Sequence, residues 1–370
     1  MTISLTDALL AMKEQRASDL HISAGVPPTI RVRGQLRPLE GYEALTPADT
    51  REAIYTIMTD AQRQRLETEL QLDFAHMIPG AARFRVNAYR QRAAIGAAFR
   101  LIPADIPALD SLGLPPSVRQ MTQKPRGLIL VTGPTGSGKS TTLAAMLDVI
   151  NESRSEHIMT VEDPIEFLHS HKRCLVNQRE VGHDTHSFSA ALKAALRQDP
   201  DVILVGELRD LETISTALTA AETGHVVYAT LHTQDTPQTI DRIIDVFPSE
   251  QQDQVRTMLS VALQGIMTQQ LLPTADGSGR TVAVEVLTPT PAIRNLIREG
   301  KTHQIYSALQ TGQAHGMQTM DASLAGLVRD GKITRDLALS RAGNPAELTR
   351  LLNGGAGAPQ TKTPSLTGAR

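Results

Sequence analysis

Aromatic residues and cysteine are scarce in this chain of 370 residues, which has no tryptophan, five tyrosines, six phenylalanines and one cysteine. Proteins that bind single-stranded nucleic acid without sequence preference stack the bases on aromatic side chains, so this composition disfavours that class. The lone Cys174 can form neither an internal disulfide bond nor a four-cysteine zinc site. We expect it to be a small buried apolar residue in a protein of a reducing compartment.

An excess of one charge and long apolar runs are absent as well. The 37 lysines and arginines nearly balance the 39 aspartates and glutamates, so no overall field favours nucleic acid or an anionic membrane. No apolar run approaches the roughly 18 residues of a membrane span, and Asp7 interrupts the first apolar stretch, unlike in a secretory signal. These features predict a soluble, cytoplasmic protein that reaches a membrane only through partners.

The chain is long enough for two lobes. In its first part we predict a helix over 5–17, strands near 19–23 and 29–37, and two helices within 47–70. Apolar side chains alternate with polar ones, mainly arginines, in RFRVNAY, residues 83–89. This alternation predicts a strand whose solvent-exposed face is lined by arginine. The full division that we predict is an N-terminal α/β domain at 1–101, a proline-rich linker at 102–126, an α/β core at 127–290, a helical region at 291–352 and a disordered tail at 353–370.

Short apolar strands alternate with amphipathic helices in the core. This alternation predicts a mostly parallel sheet that is covered by helices on both faces. Beyond residue 236 the sequence favours helices as far as about 352, with one clear strand at RTVAVEVL, residues 280–287.

The segment GPTGSGKS, residues 133–140, matches a phosphate-binding loop and lies between an apolar strand and a helix. Its glycines allow successive backbone N–H groups to surround phosphate oxygens, and the helix N-terminus adds positive potential. Lys139 is placed to reach the β- and γ-phosphates, and Ser140 to bind Mg²⁺. We predict that ATP and Mg²⁺ are bound by this loop and the first helical turn, through Gly133, Pro134, Thr135, Gly136, Ser137, Gly138, Lys139, Ser140 and Thr141.

Acidic residues end two further apolar strands. Glu207 follows DVILVG at the strand end where ligands bind in open α/β sheets, and many nucleotidases of this fold hold the metal shell there. Glu162, in MTVEDPIEF, is the best placed acid of its segment to take a proton from water. On spacing alone, each carboxylate fits a helix cap or a surface position as well as a catalytic one.

Two histidines, His225 and His232, flank the apolar run in GHVVYATLHT, residues 224–233. Because they are seven residues apart, they fall on opposite faces of a straight strand, which argues against one shared metal. Taken without further information, a histidine in an apolar strand is more often a satisfied core residue than a functional one.

Four of these segments occur in a characteristic order. GPTGSGKSTT, TVEDPIEF, DVILVGELRD and GHVVYATLHT together resemble the Walker A, aspartate, Walker B and histidine boxes of the secretion ATPase superfamily, whose members form hexameric rings. More narrowly, ASDLHIS, RFRVNAY, AIRNLIREGK and GMQTMD resemble segments of the ATPases that retract type IV pili. The resemblance extends from about residue 15 to about residue 340.

The resemblance implies an α/β fold with a RecA-like P-loop NTPase core, a smaller PAS-like N-terminal α/β domain and a helical C-terminal part. It assigns Lys139 and Ser140 to phosphate and Mg²⁺, Glu207 to the metal as the Walker B acid, and Glu162 to the role of catalytic base.

Further side chains receive roles only through the resemblance. His225 and His232 are expected near the nucleotide, where they sense or position its γ-phosphate. Arg85 and Arg100 are expected to reach a nucleotide bound to a neighbouring subunit, because guanidinium charge can stabilise the transition state of phosphoryl transfer. Each arginine taken singly fits a solvated sheet face equally well.

For the whole protein, the resemblance implies a homohexameric ATPase at the inner-membrane base of the pilus, which retracts type IV pili and so drives twitching motility. Its expected partners are an inner-membrane platform protein of the pilus, an accessory retraction ATPase and the assembly ATPase, with no nucleic acid among them. Read physically, AIRNLIREGK (292–301) is an ordinary amphipathic surface helix, and only the resemblance connects it with retraction.

Several alternatives stay open. The chain also resembles accessory retraction ATPases and other secretion or pilus-assembly ATPases, although the latter usually carry a four-cysteine zinc element that one cysteine cannot form. From other classes, the same sheet occurs in nucleic-acid motors, and an ATP-binding scaffold without hydrolysis is a further possibility. The presence of both Glu162 and Glu207 argues against the scaffold.

Overall fold

A computed structural model describes residues 4–32, 34–103 and 105–354. These residues form two compact units: those up to 108 together with 143–207 make the first unit, and 109–142 together with those from 208 onward make the second. The two compact units have other boundaries than the five segments predicted from the sequence, and that division stays a prediction. Most of the predicted tail, residues 355–370, lies outside the described residues.

The first nine elements all belong to the first unit. They are α1 (Leu5–Glu14), β1 (Asp19–Ile22), β2 (Thr29–Val32), β3 (Gln35–Pro38), α2 (Pro47–Thr56), α3 (Asp60–Glu69), β4 (Gln71–Ile78), β5 (Ala82–Gln91) and β6 (Ala94–Ile102). The six strands form an antiparallel sheet in the order β3-β2-β1-β6-β5-β4. The strand predicted over 29–37 is in fact a hairpin that turns at Gly34, where φ is 84°. Strand β4 is an addition that the sequence analysis did not anticipate.

This sheet has one apolar face and one polar face. Side chains of Phe84, Val86 and Phe99 are fully buried in a core shared with α1 and α2. Arg85, between two of them in the sequence, is exposed. The alternation predicted for RFRVNAY is therefore confirmed, and it leaves a row of charged side chains on the opposite face of the sheet.

The remaining elements follow the first nine in chain order. They are α4 (Pro116–Met121), β7 (Gly127–Thr132), α5 (Lys139–Ser153), β8 (His157–Glu162), β9 (Leu175–Glu180), α6 (Phe188–Ala195), β10 (Val202–Val205), α7 (Leu211–Glu222), β11 (Val226–Leu231), α8 (Thr236–Asp245), α9 (Ser249–Ala262), β12 (Leu263–Pro273), β13 (Arg280–Leu287), α10 (Pro291–Arg298), α11 (Ile305–Thr311), α12 (Met320–Arg329), α13 (Arg335–Arg341) and α14 (Pro345–Leu352). Short 3-10 helices occupy Leu109–Leu112, Thr302–Gln304 and Gln313–His315.

Parallel strands predominate in both units beyond residue 126, as the sequence predicts. In the second unit β7 pairs in parallel with β11 and with β12, and only β13 runs antiparallel, beside β12. In the first unit β8 pairs in parallel with β9 and with β10. Every residue of β7, β10 and β11 is buried, which is expected of parallel strands covered on both faces.

Two stretches differ from the prediction. The region after 236 was expected to be helical apart from 280–287, but β12 is an eleven-residue strand. Seven of its eleven residues are buried, including the unbroken run from Gly265 to Gln269. Its sequence therefore lacks the alternation that identifies a strand with one solvent-exposed face, and its pairing with β7 and β13 decides its structure. Within the predicted linker, α4 forms after Pro115 and buries Val118 and Met121.

The C-terminal helices pack on β12 and β13 through a cluster that includes Leu272, Ala283, Leu324 and Leu348. The signature GMQTMD contributes Asp321, which is 1% exposed and accepts hydrogen bonds from the backbone N–H groups of Gly343 and Asn344. In the part of the chain that the structure describes, no helix has both the length and the apolar character to span a membrane.

Candidate functional site

The phosphate-binding loop of the second unit connects the end of β7 to the start of α5. Gly133 has a φ of 132°, and a Cβ atom there would lie 2.3 Å from the carbonyl oxygen of Gln269. Gly136 and Gly138 have φ values of 79° and 91°, and a Cβ atom on either would meet no heavy atom within 4 Å. Gly133 therefore allows a close backbone contact, whereas the other two glycines keep an open cradle that side chains would fill.

Lys139 lies at the base of this loop and is only 8% exposed. Its Nζ donates hydrogen bonds to the carbonyl oxygens of Gly133 at 2.8 Å and Pro134 at 3.1 Å. A buried ammonium group beside open backbone glycines is the donor arrangement that fits a polyphosphate. The residues present therefore fit the nucleotide predicted from the sequence.

His232 comes close to Lys139, with 3.4 Å between His232 Nδ1 and Lys139 Nζ. The cause is strand register, because Leu231 at the end of β11 pairs with Thr132 at the end of β7. The residues that follow both strands therefore lie side by side.

His225 lies at the other end of β11. The six-residue strand separates the two histidines by about 20 Å. His225 Nδ1 is 3.0 Å from the carbonyl oxygen of Ala220, and the His225 carbonyl accepts a hydrogen bond from Gly127, the first residue of β7. The phosphate loop follows the carboxyl end of β7, so His232 but not His225 lies beside the loop of its own chain. The placement of both histidines near the nucleotide stays a prediction.

Ser140 and Thr141 are half-buried in the first turn of α5. The Ser140 hydroxyl is a suitable oxygen ligand for Mg²⁺, an ion that usually keeps water ligands and takes only one or two groups from the protein. The described residues contain no cluster of three His, Cys, Asp or Glu side chains able to hold a metal.

Strand β12 supports the loop through polar contacts that the sequence analysis missed. Gln269 Nε2 donates to Thr142 Oγ1 at 2.9 Å, and the buried hydroxyls of Thr268 and Thr132 are 2.8 Å apart. The signal in the sequence is TQQ, a polar triplet within an apolar run. It points to these contacts only once that run is identified as a strand beside β7.

In the first unit, Glu162 ends β8 and is half-buried. Its carboxylate accepts hydrogen bonds from Thr160 Oγ1 at 2.6 Å, Gln178 Nε2 at 3.1 Å and the Glu166 backbone N–H at 3.4 Å. Burial raises the pKa of Glu162, and these hydrogen bonds only partly offset that effect. A carboxylate of raised pKa is a stronger base once it is ionised.

Glu207 leaves the same edge of the parallel strands as Glu162 does. Val205 of β10 pairs with Val161 of β8, and the Gly206 backbone N–H donates to the Val161 carbonyl at 2.8 Å. A Cβ atom on Gly206 would lie 3.2 Å from that carbonyl, so the glycine permits the close approach. Sequence reasoning did not single out Gly206.

Arg85 and Arg100 occupy the polar face of the six-stranded sheet, where the register of β5 and β6 pairs them directly. Arg100 Nε donates to Asp19 Oδ1 at 2.9 Å, whereas Arg85 Nε is 3.6 Å from Asp73 Oδ1. The Arg100 side chain is 70% exposed and the Arg85 side chain 45%. Two guanidinium groups from separate strands are thus presented together to solvent.

Similarity to known proteins extends over nearly the whole chain. Residues 4–335 match the family of type II/IV secretion system proteins. The type IV pilus retraction ATPase PilT of Pseudomonas aeruginosa is 54% identical over 346 residues, which cover 93% of this chain and 99% of that protein. The type IV pilus ATPase PilU of the same organism is 42% identical over 359 residues, covering 97% and 94%.

A solved structure is similar as well. The crystal structure of the pilus retraction motor PilT with bound ADP matches with a TM-score of 0.88 at 51% identity, covering 94% of this chain and 99% of that one. This match confirms the predicted α/β fold, since it extends through both units.

Proposed function

This chain belongs to the family of type II/IV secretion system proteins, and we propose that it is an ATP-hydrolysing motor that powers the retraction of type IV pili. The observation that carries the proposal is the phosphate loop, in which Gly136 and Gly138 keep the cradle open and Lys139 is buried beside His232. The 54% identity to a retraction ATPase along 99% of its length supports pilus retraction as the work performed.

Each group of the phosphate loop and of the strand ends has a distinct task in the proposed reaction. The loop N–H groups and Lys139 bind the phosphates, and Ser140 and Glu207 hold the Mg²⁺ that neutralises their charge. Glu162 accepts the proton of the attacking water. His232, next to Lys139, positions the γ-phosphate end of the nucleotide.

Arg85 and Arg100 complete the reaction from a neighbouring subunit. Their exposure and their direct pairing across β5 and β6 support this role, because a group that serves another subunit must be presented at the surface. Closed rings arise when one surface of each subunit contacts a different surface of the next. We therefore propose a homohexamer at the pilus base, in which an inner-membrane platform protein receives the motion.

An accessory retraction ATPase is the second candidate, favoured by the 42% identity to PilU along 94% of that protein. The two functions differ in which missing protein the chain can replace. We place the retraction ATPase first because the identity to PilT is 54%, against 42% to PilU, and the match covers 99% of PilT and 94% of PilU.

Complementation tests the choice between the two functions. The chain would be expressed in Pseudomonas aeruginosa strains that lack either PilT or PilU, and twitching zones would be measured, with Glu162→Gln at equal expression as the inactive control. We expect wild type, but not the control, to restore twitching in the strain that lacks PilT. Restoration only in the strain that lacks PilU would establish the accessory role, and restoration in neither would contradict both.

A nucleic-acid motor is tested separately on the purified chain. Its ATPase rate would be measured with and without single-stranded DNA. The ATPase rate of a pilus motor should not change with DNA, whereas an increase in the rate would indicate a nucleic-acid motor instead.

A further inference from the structure

Asp19 occupies the polar face of the six-stranded sheet in the first unit. Strand β1 pairs with β2 on one side and β6 on the other, and the register places Asp19 opposite both Arg31 and Arg100. The residue is 8% exposed. Burying a carboxylate to this extent is costly unless its charge is matched and its oxygens accept hydrogen bonds.

The surroundings of Asp19 meet that requirement. Ser18 Oγ donates to Oδ2 at 2.7 Å, Arg100 Nε donates to Oδ1 at 2.9 Å, and Arg31 Nε lies 3.7 Å from Oδ2. Burial alone would raise the pKa of Asp19, but the hydrogen bonds from Ser18 and Arg100 and the charge of Arg100 outweigh it and leave the pKa below its usual range. Asp19 is therefore a negative charge at neutral pH.

The contact fixes the orientation of Arg100 without covering its guanidinium group. The guanidinium is planar and rigid, so a hydrogen bond at Nε sets its plane while the rest of the group can serve another acceptor. The 70% exposure of the side chain fits such a use. By contrast, Arg85 contacts Asp73 at 3.6 Å, and the Asp73 side chain is itself 56% exposed. A contact of that kind orients little.

We propose that Asp19 is a positioning residue that holds Arg100 in the orientation needed to reach the nucleotide of the neighbouring subunit. The inference rests on the proposed role of Arg100, and it gives a physical function to the signature ASDLHIS. Asp19 itself touches no nucleotide, so its effect on hydrolysis passes through Arg100.

A double-mutant cycle in the full-length chain tests the inference. Asp19→Asn, Arg100→Ala and the double variant would be compared for kcat, for the KM of ATP and for melting temperature. Asp60→Asn is the matched control, because Asp60 forms an ion pair with Arg63 in the same unit and its side chain is 97% exposed. We expect Arg100→Ala to lower kcat about 100-fold and Asp19→Asn about 10-fold, with KM changed less than about twofold. In the Arg100→Ala background, Asp19→Asn should have no further effect on kcat.

Three outcomes would contradict the proposed role of Asp19, and they differ in whether they also contradict the proposed role of Arg100. If Asp19→Asn keeps wild-type kcat while Arg100→Ala is impaired, Asp19 does not position Arg100, and the role of Arg100 stands. If Asp19→Asn lowers kcat equally in both backgrounds, Asp19 acts independently of Arg100. If Arg100→Ala itself keeps wild-type kcat, the arginine role falls together with the inference, while the ATPase proposal survives as long as Lys139→Ala is inactive.

Arg100→Lys provides a second test in case Asp19→Asn fails to fold. Lysine keeps a positive charge beside the buried Asp19, so the variant should stay folded, and its melting temperature checks this. Lysine keeps the charge but lacks the Nε donor that sets a planar group against Asp19. We expect Arg100→Lys to lower kcat at least about 10-fold, and wild-type kcat in this variant would show that the orientation set by Asp19 is not needed.

Discussion

Lys139 and Arg100 are both cations proposed to act on phosphate, yet the chain holds them in opposite ways. Lys139 is 8% exposed and contacts carbonyl groups of its own loop, five and six residues away. The Arg100 side chain is 70% exposed, and its contact is an aspartate 81 residues away in the sequence. In the proposed mechanism, the cation that binds nucleotide in its own subunit is held by backbone carbonyls of its own loop. The cation proposed to serve another subunit is exposed and is held by an aspartate of a distant strand.

The largest expected difference between Lys139 and Arg100 is in their contribution to ATP affinity. We expect Lys139→Ala to weaken ATP binding at least about 100-fold, because the phosphates lose their buried cation. Arg100→Ala should change the affinity of the same chain less than about threefold. Equilibrium titration with a fluorescent ATP analogue measures both affinities. Equal losses of affinity in the two variants would show that Lys139 and Arg100 contribute equally to ATP binding by their own chain.

The next effect concerns hydrolysis without binding. Glu162→Gln keeps the size of the side chain but removes the proposed base, so we expect ATP affinity near wild type and kcat about 100-fold lower. Single-turnover hydrolysis at saturating ATP measures the step, and wild-type turnover would remove Glu162 from the mechanism.

The pH dependence of kcat sharpens the same assignment. Burial raises the folded-state pKa of Glu162, and the base acts only when it is ionised. The wild-type kcat should therefore fall on the acid side as pH drops through a pKa above the usual glutamate value. This acid limb should disappear from the residual rate of Glu162→Gln, and an unchanged limb would assign it to another group.

The smallest expected effect distinguishes the two histidines. His232→Ala should lower kcat/KM about 10-fold because its Nδ1 is 3.4 Å from Lys139 Nζ. His225 lies at the other end of β11, so His225→Ala should change kcat/KM less than about twofold. Steady-state kinetics of the two matched variants measures the difference, and a larger loss from His225→Ala would contradict the placement.

Local signals made much of this fold predictable. The phosphate loop is contiguous in the sequence, its glycines have a conformational reason, and the strands around it are short apolar runs between helices. The alternation in RFRVNAY likewise predicted one wet face, because it depends on neighbours two residues apart.

The features that the sequence did not predict depend on pairing between strands that are distant in the sequence. Strand β12 lacks alternation and exists because β7 and β13 flank it. The sequence also does not show which end of β11 adjoins the phosphate loop, so it could not separate His232, beside that loop, from His225 at the other end of the strand. The contact between Asp19 and Arg100 was also out of reach of the sequence, since it depends on the register of β1 against β6.

The account depends most on the claim that one chain supplies the phosphate loop and its neighbour supplies the arginines. ATPase activity of Arg85→Ala mixed with Lys139→Ala, after the rings exchange subunits, tests this claim directly. Neither variant alone should be active, but random mixing at equal amounts should restore about one quarter of the wild-type rate, since about a quarter of the interfaces pair an intact loop with an intact arginine. If no ratio of the two variants recovers activity, the arginines do not act across subunits and the account is wrong.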